Sequence, residues 1–478
     1  VNCGIAALPV SASAVDTDTE IYISPDGNDS NSGSSESPFK TLERAKAEVR
    51  VHNSNMSGNI IVNIASGVYY MDNTLEFTQA DSGTNGFSVI YRGITDENGN
   101  SPIVSGGVDI SDNWELYDES LNIYKHENID WSFRQLYTNN DRAIRARVPN
   151  LENKETGGPY FRASGGDGSY PLFIGTNNEY AQKAGNDAEI IWNSSWSQFR
   201  ARIESYNSST GRVTFKAPDN SFAWNHHTQG DTPFYLENSL AYLDSEGEWY
   251  LDKDTSTLYY KSREGEIMNK TEIIAPKLET IIDINGTDEN KTENITFDGI
   301  QFLHSNWLAP DSYGYCSVQG GFRYQSEGGK DNSAIRGSAR YDAPKSMVQL
   351  RHTKNISLIN SEFSFSGSWG IMGYEDTENT FIDHNVFTKN AGGGVTMGMA
   401  GREWDDQTEN EQPRTYTDMD GQSRYDTITN NYIDHVACEY QDMVGIGAML
   451  PQHMTIANNE IGYLPYTGIN IGWNWLDT

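Results

Sequence analysis

Ile382-Asp383-His384-Asn385-Val386-Phe387 is one of five copies of a phrase that decides how the chain is read. The phrase runs apolar, two residues, Asn or a small or apolar stand-in, one residue, aromatic or aliphatic. The other copies place Phe297, Ile300 and Phe302; Leu358, Ser361 and Phe363; Ile428, Asn431 and Ile433; and Ile456, Asn459 and Ile461. Leu358 and Ile382 are 24 residues apart, and Ile428 and Ile456 are 28 apart. Such spacings suit coils of a solenoid, each burying itself against its neighbours. Gaps of 61 residues from Phe297 to Leu358 and 46 from Ile382 to Ile428 mark insertions at roughly 303–347 and 399–424. Apolar and polar residues alternate within each copy, the period of a strand with one face inward. A helical solenoid would repeat at three and four instead. The expectation is an all-β parallel β-helix in which Ile stacks on Ile, and Asn385, Asn431 and Asn459 form an amide ladder that satisfies backbone groups at a bend.

A second phrase follows in four coils: Gly370-Ile371, Gly394-Val395, Gly445-Ile446 and Gly468-Ile469. Its Ile or Val lies 8 residues past Phe363, Phe387 and Ile461, but 13 past Ile433. That coil therefore carries about five extra residues near Cys438-Glu439-Tyr440-Gln441-Asp442. A bulge of this kind leaves the regular wall and can re-aim side chains beside a site. An ordinary solvated loop is the competing reading.

The 478 residues carry a net charge of −33, which argues against nucleic acid or an anionic membrane as partner. The 44 glycines and 12% aromatic residues fit a β-rich chain of many turns. Residues 1–14 are small and apolar and end in Ala12-Ser13-Ala14, which reads as the remnant of a secretory signal peptide. The chain is expected to be secreted, extracellular or periplasmic, and monomeric. Beyond Cys3, only Cys316 and Cys438 could pair, too few for a disulfide framework. No Cys/His spacing suits zinc.

In chain order, Ser37-Pro38 reads as the start of a capping helix whose apolar face is Phe39, Leu42, Ala45 and Val49. Such a helix would cover the open end of the solenoid. Strands follow at 60–64, 68–70, 75–77, 88–91 and 102–104. Residues 148–265 break the coil pattern. Trp192, Trp196, Phe199, Val213, Phe215, Phe222, Trp224, Phe234, Tyr235 and Leu236 fall there in short alternating strands, an inserted β-sandwich-like subdomain. Residues 246–260 read as a hairpin leading back to the coils. The divisions are thus 1–14, 15–147 with the cap and first coils, 148–265 inserted, and 266–478 with the main coils.

The opening Tyr22-Ile23-Ser24-Pro25-Asp26-Gly27-Asn28-Asp29 with Ser37-Pro38-Phe39-Lys40-Thr41-Leu42 resembles the entry of secreted bacterial right-handed β-helix proteins. Four further stretches narrow the likeness: Gly67-Val68-Tyr69-Tyr70, Phe133-Arg134-Gln135-Leu136-Tyr137 with Ala143-Ile144-Arg145-Ala146-Arg147, Gly247-Glu248-Trp249-Tyr250-Leu251-Asp252, and Tyr466-Thr467-Gly468-Ile469-Asn470-Ile471-Gly472-Trp473-Asn474-Trp475. Together they resemble the β-helix glycoside hydrolases of family 141, which include α-L-fucosidase and xylanase activities. The resemblance implies a right-handed coil and an inserted subdomain. It also implies further coils after Gly-Trp-x-Trp, with acidic motifs that hold the catalytic carboxylates. These motifs are expected beyond Thr478, the last residue of the sequence. No catalytic residue carries over, and the sequence is expected to be truncated at both ends.

Glycosidic hydrolysis needs two carboxyl groups across the bond, one of them protonated. Neighbouring coils can supply them, since stacked strands lie about 4.8 Å apart. Asp442, in the bulge, and Asp477, beside tryptophans, are the candidate acids. Trp369, Glu375, Glu439, Tyr466, Trp473 and Trp475 are candidates for binding sugar, against the plainer readings of solvated acids and core rings. Asp26/Asp29 and Asp418/Asp420 have oxygen ligands at calcium-like spacing but lack the closing Glu of an EF-hand, so Asx turns compete. A glycoside hydrolase acting on plant or algal cell-wall polysaccharide is the leading function. The alternatives are a polysaccharide lyase on the same fold, disfavoured by the acidic coils, and a non-catalytic adhesin or carbohydrate-binding module.

Overall fold

The computed structural model describes residues 18–154, 157–165, 173–194, 196–219, 231–317, 320–322, 324–325, 341–398 and 421–472. The chain is mostly β, with long parallel sheets and several antiparallel ones. The phrase found in sequence sets the register of two parallel stacks. Phe297 lies beside Leu358, Leu358 beside Ile382, Ile382 beside Ile428 and Ile428 beside Ile456. The aromatic position does the same, from Phe302 through Phe363, Phe387 and Ile433 to Ile461. The second phrase forms a third column from Ile371 through Val395 and Ile446 to Ile469. Most of these residues share one apolar core, and phenyl rings one strand apart stack at 5.2 and 5.1 Å from Phe302 to Phe363 to Phe387.

The amide ladder is present. Asn385 donates to Asn431 at 3.1 Å and Asn431 to Asn459 at 2.9 Å. The amides of Asn385, Asn431 and Asn459 also donate to the carbonyls of Leu358, Ile382 and Ile428. Asn385 and Asn431 thus each bond a residue of the next coil and a backbone carbonyl of the preceding one, as a buried polar side chain must.

The columns extend toward the N-terminus. Val62 lies beside Tyr91 and Tyr91 beside Phe297; Tyr69 lies beside Val104 and Val104 beside Phe302. After Ser105 the chain leaves the stack for roughly 175 residues and rejoins it at Ile282, beside Leu75 and Val348. The helix Leu42–His52 buries Leu42, Ala45 and Val49 in the same core as expected, but Thr41, not Ser37, caps it by accepting from the Arg44 N–H. The reason lies upstream: Phe39 is bonded to the strand Thr19–Ile23, and Asp29 holds the amides of Lys40 and Thr41, so the backbone stays extended until Thr41.

The departure builds antiparallel sheets. One pairs the strand Glu189–Ser194 with Ser197–Asn207 on one side and Pro233–Glu237 on the other. Another holds the expected hairpin, Glu248–Asp252 against Thr257–Lys261. Both contribute to one apolar cluster that contains Trp192, Phe199 and Phe234 with Tyr250 and Tyr259 packed on it. Phe222 and Trp224 lie outside the described residues. The first coil insertion adds the helix Ala309–Tyr313 and the strand Tyr315–Cys316, which pairs onto Phe199 and Arg200 of the antiparallel sheet. Cys316 and Cys438 are both thiols, with no bridge between them.

Candidate active site

Of the five extra residues after Ile433, Cys438 is exposed, while Glu439, Tyr440, Gln441 and Asp442 meet the inserted segment. Glu439 pairs with Arg142 at 2.6 Å and accepts from Gln135 at 2.9 Å. Tyr440 is wholly buried, edge-on to Trp307 and Tyr315, with the Arg200 guanidinium 4.8 Å from its ring centre. Gln441 accepts from Tyr160 at 3.1 Å and from the Asn193 amide at 2.8 Å. Gly157 has a left-handed backbone there, and any Cβ on it would strike the Gln441 amide at 2.0 Å. Asp442 is 3% exposed and accepts from Tyr315 at 2.8 Å, from Ser317, and from the Gln198 N–H at 3.2 Å.

Electrostatics separates the two acids of the bulge. Burial pushes Asp442 above the usual carboxylate range, and its hydrogen bonds offset only part of that. Burial also acts on Glu439, but Arg142 and Arg200 outweigh it and hold the carboxyl below its ordinary value. Glu439 is therefore an ion-pair partner, while burial makes Asp442 hold its proton more readily than a free carboxyl does. Behind the bulge, Arg134 bonds Glu189 through both terminal nitrogens at 2.8 Å, Arg145 reaches Glu189 and Glu237 at 3.0 and 3.1 Å, and Arg200 reaches Glu237 at 2.7 Å. This buried network lies within the inserted segment, and Arg134 donating to Asp311 and Arg200 donating to the Glu439 carbonyl tie it to the rest of the chain.

A cavity of about 460 Å³ opens at this junction. Its wall comes mainly from three parts of the chain: the hairpin at 193–198, Gln441 and Asp442 of the bulge, and Leu464, Pro465 and Tyr466 of the last described coil. Four buried polar atoms in that wall have no hydrogen-bond partner among the described residues: Asn193 Oδ1, Ser194 Oγ, and both Oε1 and Nε2 of Gln198. Leaving such groups unpaired costs free energy, so each calls for a partner such as water or a bound polar group in the cavity. Trp196 and Tyr466, 38% and 36% exposed, add aromatic surface to the same wall. Among the described residues lining it, Asp442 is the sole carboxylate.

The structure thus brings Asp442 and Tyr466 together. Glu439 lies beside them in the chain but lines a different cavity of about 400 Å³, with Arg142, Arg145, Arg147 and Lys389. Trp369 is wholly buried, and its indole donates to the Gly321 carbonyl and stacks on Phe322, so no face is open to a sugar. Glu375 pairs with Arg351 at 2.8 Å and lines neither cavity. Trp473, Trp475, Asp477 and Thr478 lie outside the described residues, as do Asp418 and Asp420. The structure therefore does not bear on carboxylates placed past Thr478. Asp442, well inside the chain, lines the cavity. Asp29 spends its oxygens on the helix entry, and Asn28 closes an Asx turn onto Ser30. Sequence reading missed Asn193, Ser194 and Gln198. The one available signal was Asn193-Ser194-Ser195-Trp196-Ser197-Gln198, a polar run set between Trp192 and Phe199 where apolar alternation should continue.

Residues 121–263 match the GH141 insertion domain. A solved structure named "Glycoside hydrolase" is 26% identical, with a TM-score of 0.82, covering 96% of this chain and 80% of that one. The complex of XylC with xylose is 11% identical over 92% of this chain and 59% of that one, with a TM-score of 0.39. A rhamnogalacturonan lyase is 10% identical over 93% and 67%, with a TM-score of 0.27. No curated protein matches the sequence. The inserted domain and the likeness along nearly the whole chain to a protein named as a glycoside hydrolase support a glycoside hydrolase. Within that class this chain is GH141-like.

Proposed function

We propose that this chain is a secreted bacterial glycoside hydrolase, built on a right-handed parallel β-helix, that cleaves a plant or algal cell-wall polysaccharide. The three stacked columns support the coil; the apolar segment at 1–14 supports export. The observation carrying the activity is the cavity at the junction of inserted sheet and coils. It combines unpaired neutral polar atoms, aromatic surface and one carboxyl that burial keeps protonated beyond its usual range. Asp442 is the general acid in this reading, because an acid that donates to a leaving oxygen must hold its proton at working pH. The second carboxyl required for hydrolysis is assigned to Asp477 on sequence alone. The neutral lining suits an uncharged saccharide better than a polyanion.

The test is turnover of xylan and fucosylated oligosaccharides. Hydrolysis releases a reducing end without ultraviolet absorbance, whereas β-elimination by a lyase leaves an unsaturated, absorbing product. Asp442→Asn is expected to lower kcat by about 10²- to 10⁴-fold. In the wild type, activity should fall as rising pH strips the proton from Asp442, and this limb should vanish in the variant. Unimpaired turnover by Asp442→Asn, or an absorbing product, contradicts the proposal.

A further inference from the structure

We infer that Gln198 reads a pair of adjacent free hydroxyls on one sugar ring, and so restricts the substrate to saccharides unsubstituted at those two carbons. The inference rests on the saccharide reading of the cavity. Gln198 is 1% exposed, yet its side chain makes no hydrogen bond among the described residues, and it lines the cavity wall. An amide offers an acceptor and two donors in one plane. A sugar hydroxyl both donates and accepts, so two neighbouring hydroxyls can satisfy the amide at once, one donating to Oε1 and the other accepting from Nε2. A lone hydroxyl, or one capped by methyl or acetyl, leaves half of the amide buried and unpaired.

The position is built for this. Gln198 faces Asn193 across the hairpin, and the Asn193 amide nitrogen is committed to Gln441, which leaves Asn193 Oδ1 open as a second acceptor. The Gln198 backbone N–H donates to Asp442. One residue therefore holds the acid through its main chain and the sugar through its side chain, fixing which ring carbons sit nearest the proton. Gln198 acts by positioning. Its loss should raise KM and erase discrimination between ligands, and it should leave the pH limb set by Asp442 in place.

The test titrates the full chain with methyl glycosides of xylose, fucose and galactose and with their singly deoxygenated derivatives, read by ligand-observed NMR. Wild type, Gln198→Leu and Gln198→Glu are compared, with melting temperatures recorded. Wild type should bind at least one parent glycoside and lose about tenfold in affinity on deoxygenation at either of two adjacent carbons. Gln198→Leu should bind parent and deoxygenated sugars alike. It should also melt at or above the wild-type temperature, because leucine buries no unpaired amide. Gln198→Glu offers two acceptor oxygens to which both hydroxyls can donate, and should keep discrimination at both carbons. If wild type binds a parent sugar and Gln198→Leu still discriminates, or melts well below wild type, the inference falls and the cavity reading survives. If no parent glycoside binds wild type, the saccharide reading falls first and takes the inference with it.

Discussion

Asp426 shows what a single residue does in a stacked wall. It is buried at the start of a coil, where its carboxylate accepts from the Thr380 N–H and the Thr377 hydroxyl of the preceding coil, each at 2.8 Å. Burial pushes its pKa to about 6, against 3.8 for a free side chain. The folded state therefore holds its proton over a window in which the unfolded chain has lost it. The Asp426 contribution to stability is complete below the unfolded value and is lost as pH rises to about 6, by roughly 3 kcal/mol at the upper limit. Asp426→Asn can keep both hydrogen bonds and has no proton to lose. Relative to wild type it should gain stability between about pH 4 and pH 6, as denaturant titrations at the two ends would show. A constant difference would mean that Asp426 is charged throughout. Residues of this kind were legible only where they recur. Asn385, Asn431 and Asn459 announced a ladder because one residue type returned at one place in the phrase. Gln198 sits in a segment that does not repeat, and its chemistry depends on bonds it does not make, which no sequence records. Trp369 was misread for the opposite reason: a tryptophan beside a glycine corner can face either way, and Phe322, from a coil insertion, covers it.

Among elements, the bulge after Ile433 matters most. Its five extra residues were visible in sequence as a broken spacing, 13 where the other coils have 8. What it meets was not visible, because its partners lie some 125 to 304 residues upstream. Arg142 and Glu439 illustrate the join. Removing one member of a largely buried pair strands the other charge, at a cost of up to about 3–5 kcal/mol, whereas replacing both with apolar residues costs far less. Arg142→Met should therefore lower stability by an amount in that range, and adding Glu439→Leu should recover much of it. Additive losses in this double-mutant cycle, followed by chemical denaturation, would show that the pair does not couple the inserted sheet to the coils. The helix start was misplaced from sequence for a related reason. Ser37-Pro38 has the right local chemistry, but Phe39 is claimed by a strand, and tertiary pairing overrode the local signal.

Over the whole molecule, the columns explain how so long an insertion is tolerated. Val104 and Phe302 are neighbours in space although nearly two hundred residues separate them, so the insertion leaves from one rung and returns to the next without breaking the stack. The inserted sheet then folds back and rests on the bulge several rungs further on, and the cavity forms where the two meet. Stacking was legible because each rung repeats the side chains of the last. The site was not, because it is assembled from one hairpin, one bulge and one corner that share no pattern. The measurement that tests this assembly most directly is a crystal structure of the Asp442→Asn protein with a bound oligosaccharide substrate. The account predicts a sugar ring in the 460 Å³ cavity, hydrogen-bonded to Gln198 and Asn193, against Trp196 or Tyr466, with its glycosidic oxygen nearest residue 442. A substrate bound elsewhere on the coils, with the cavity closed or filled only by solvent, would contradict it.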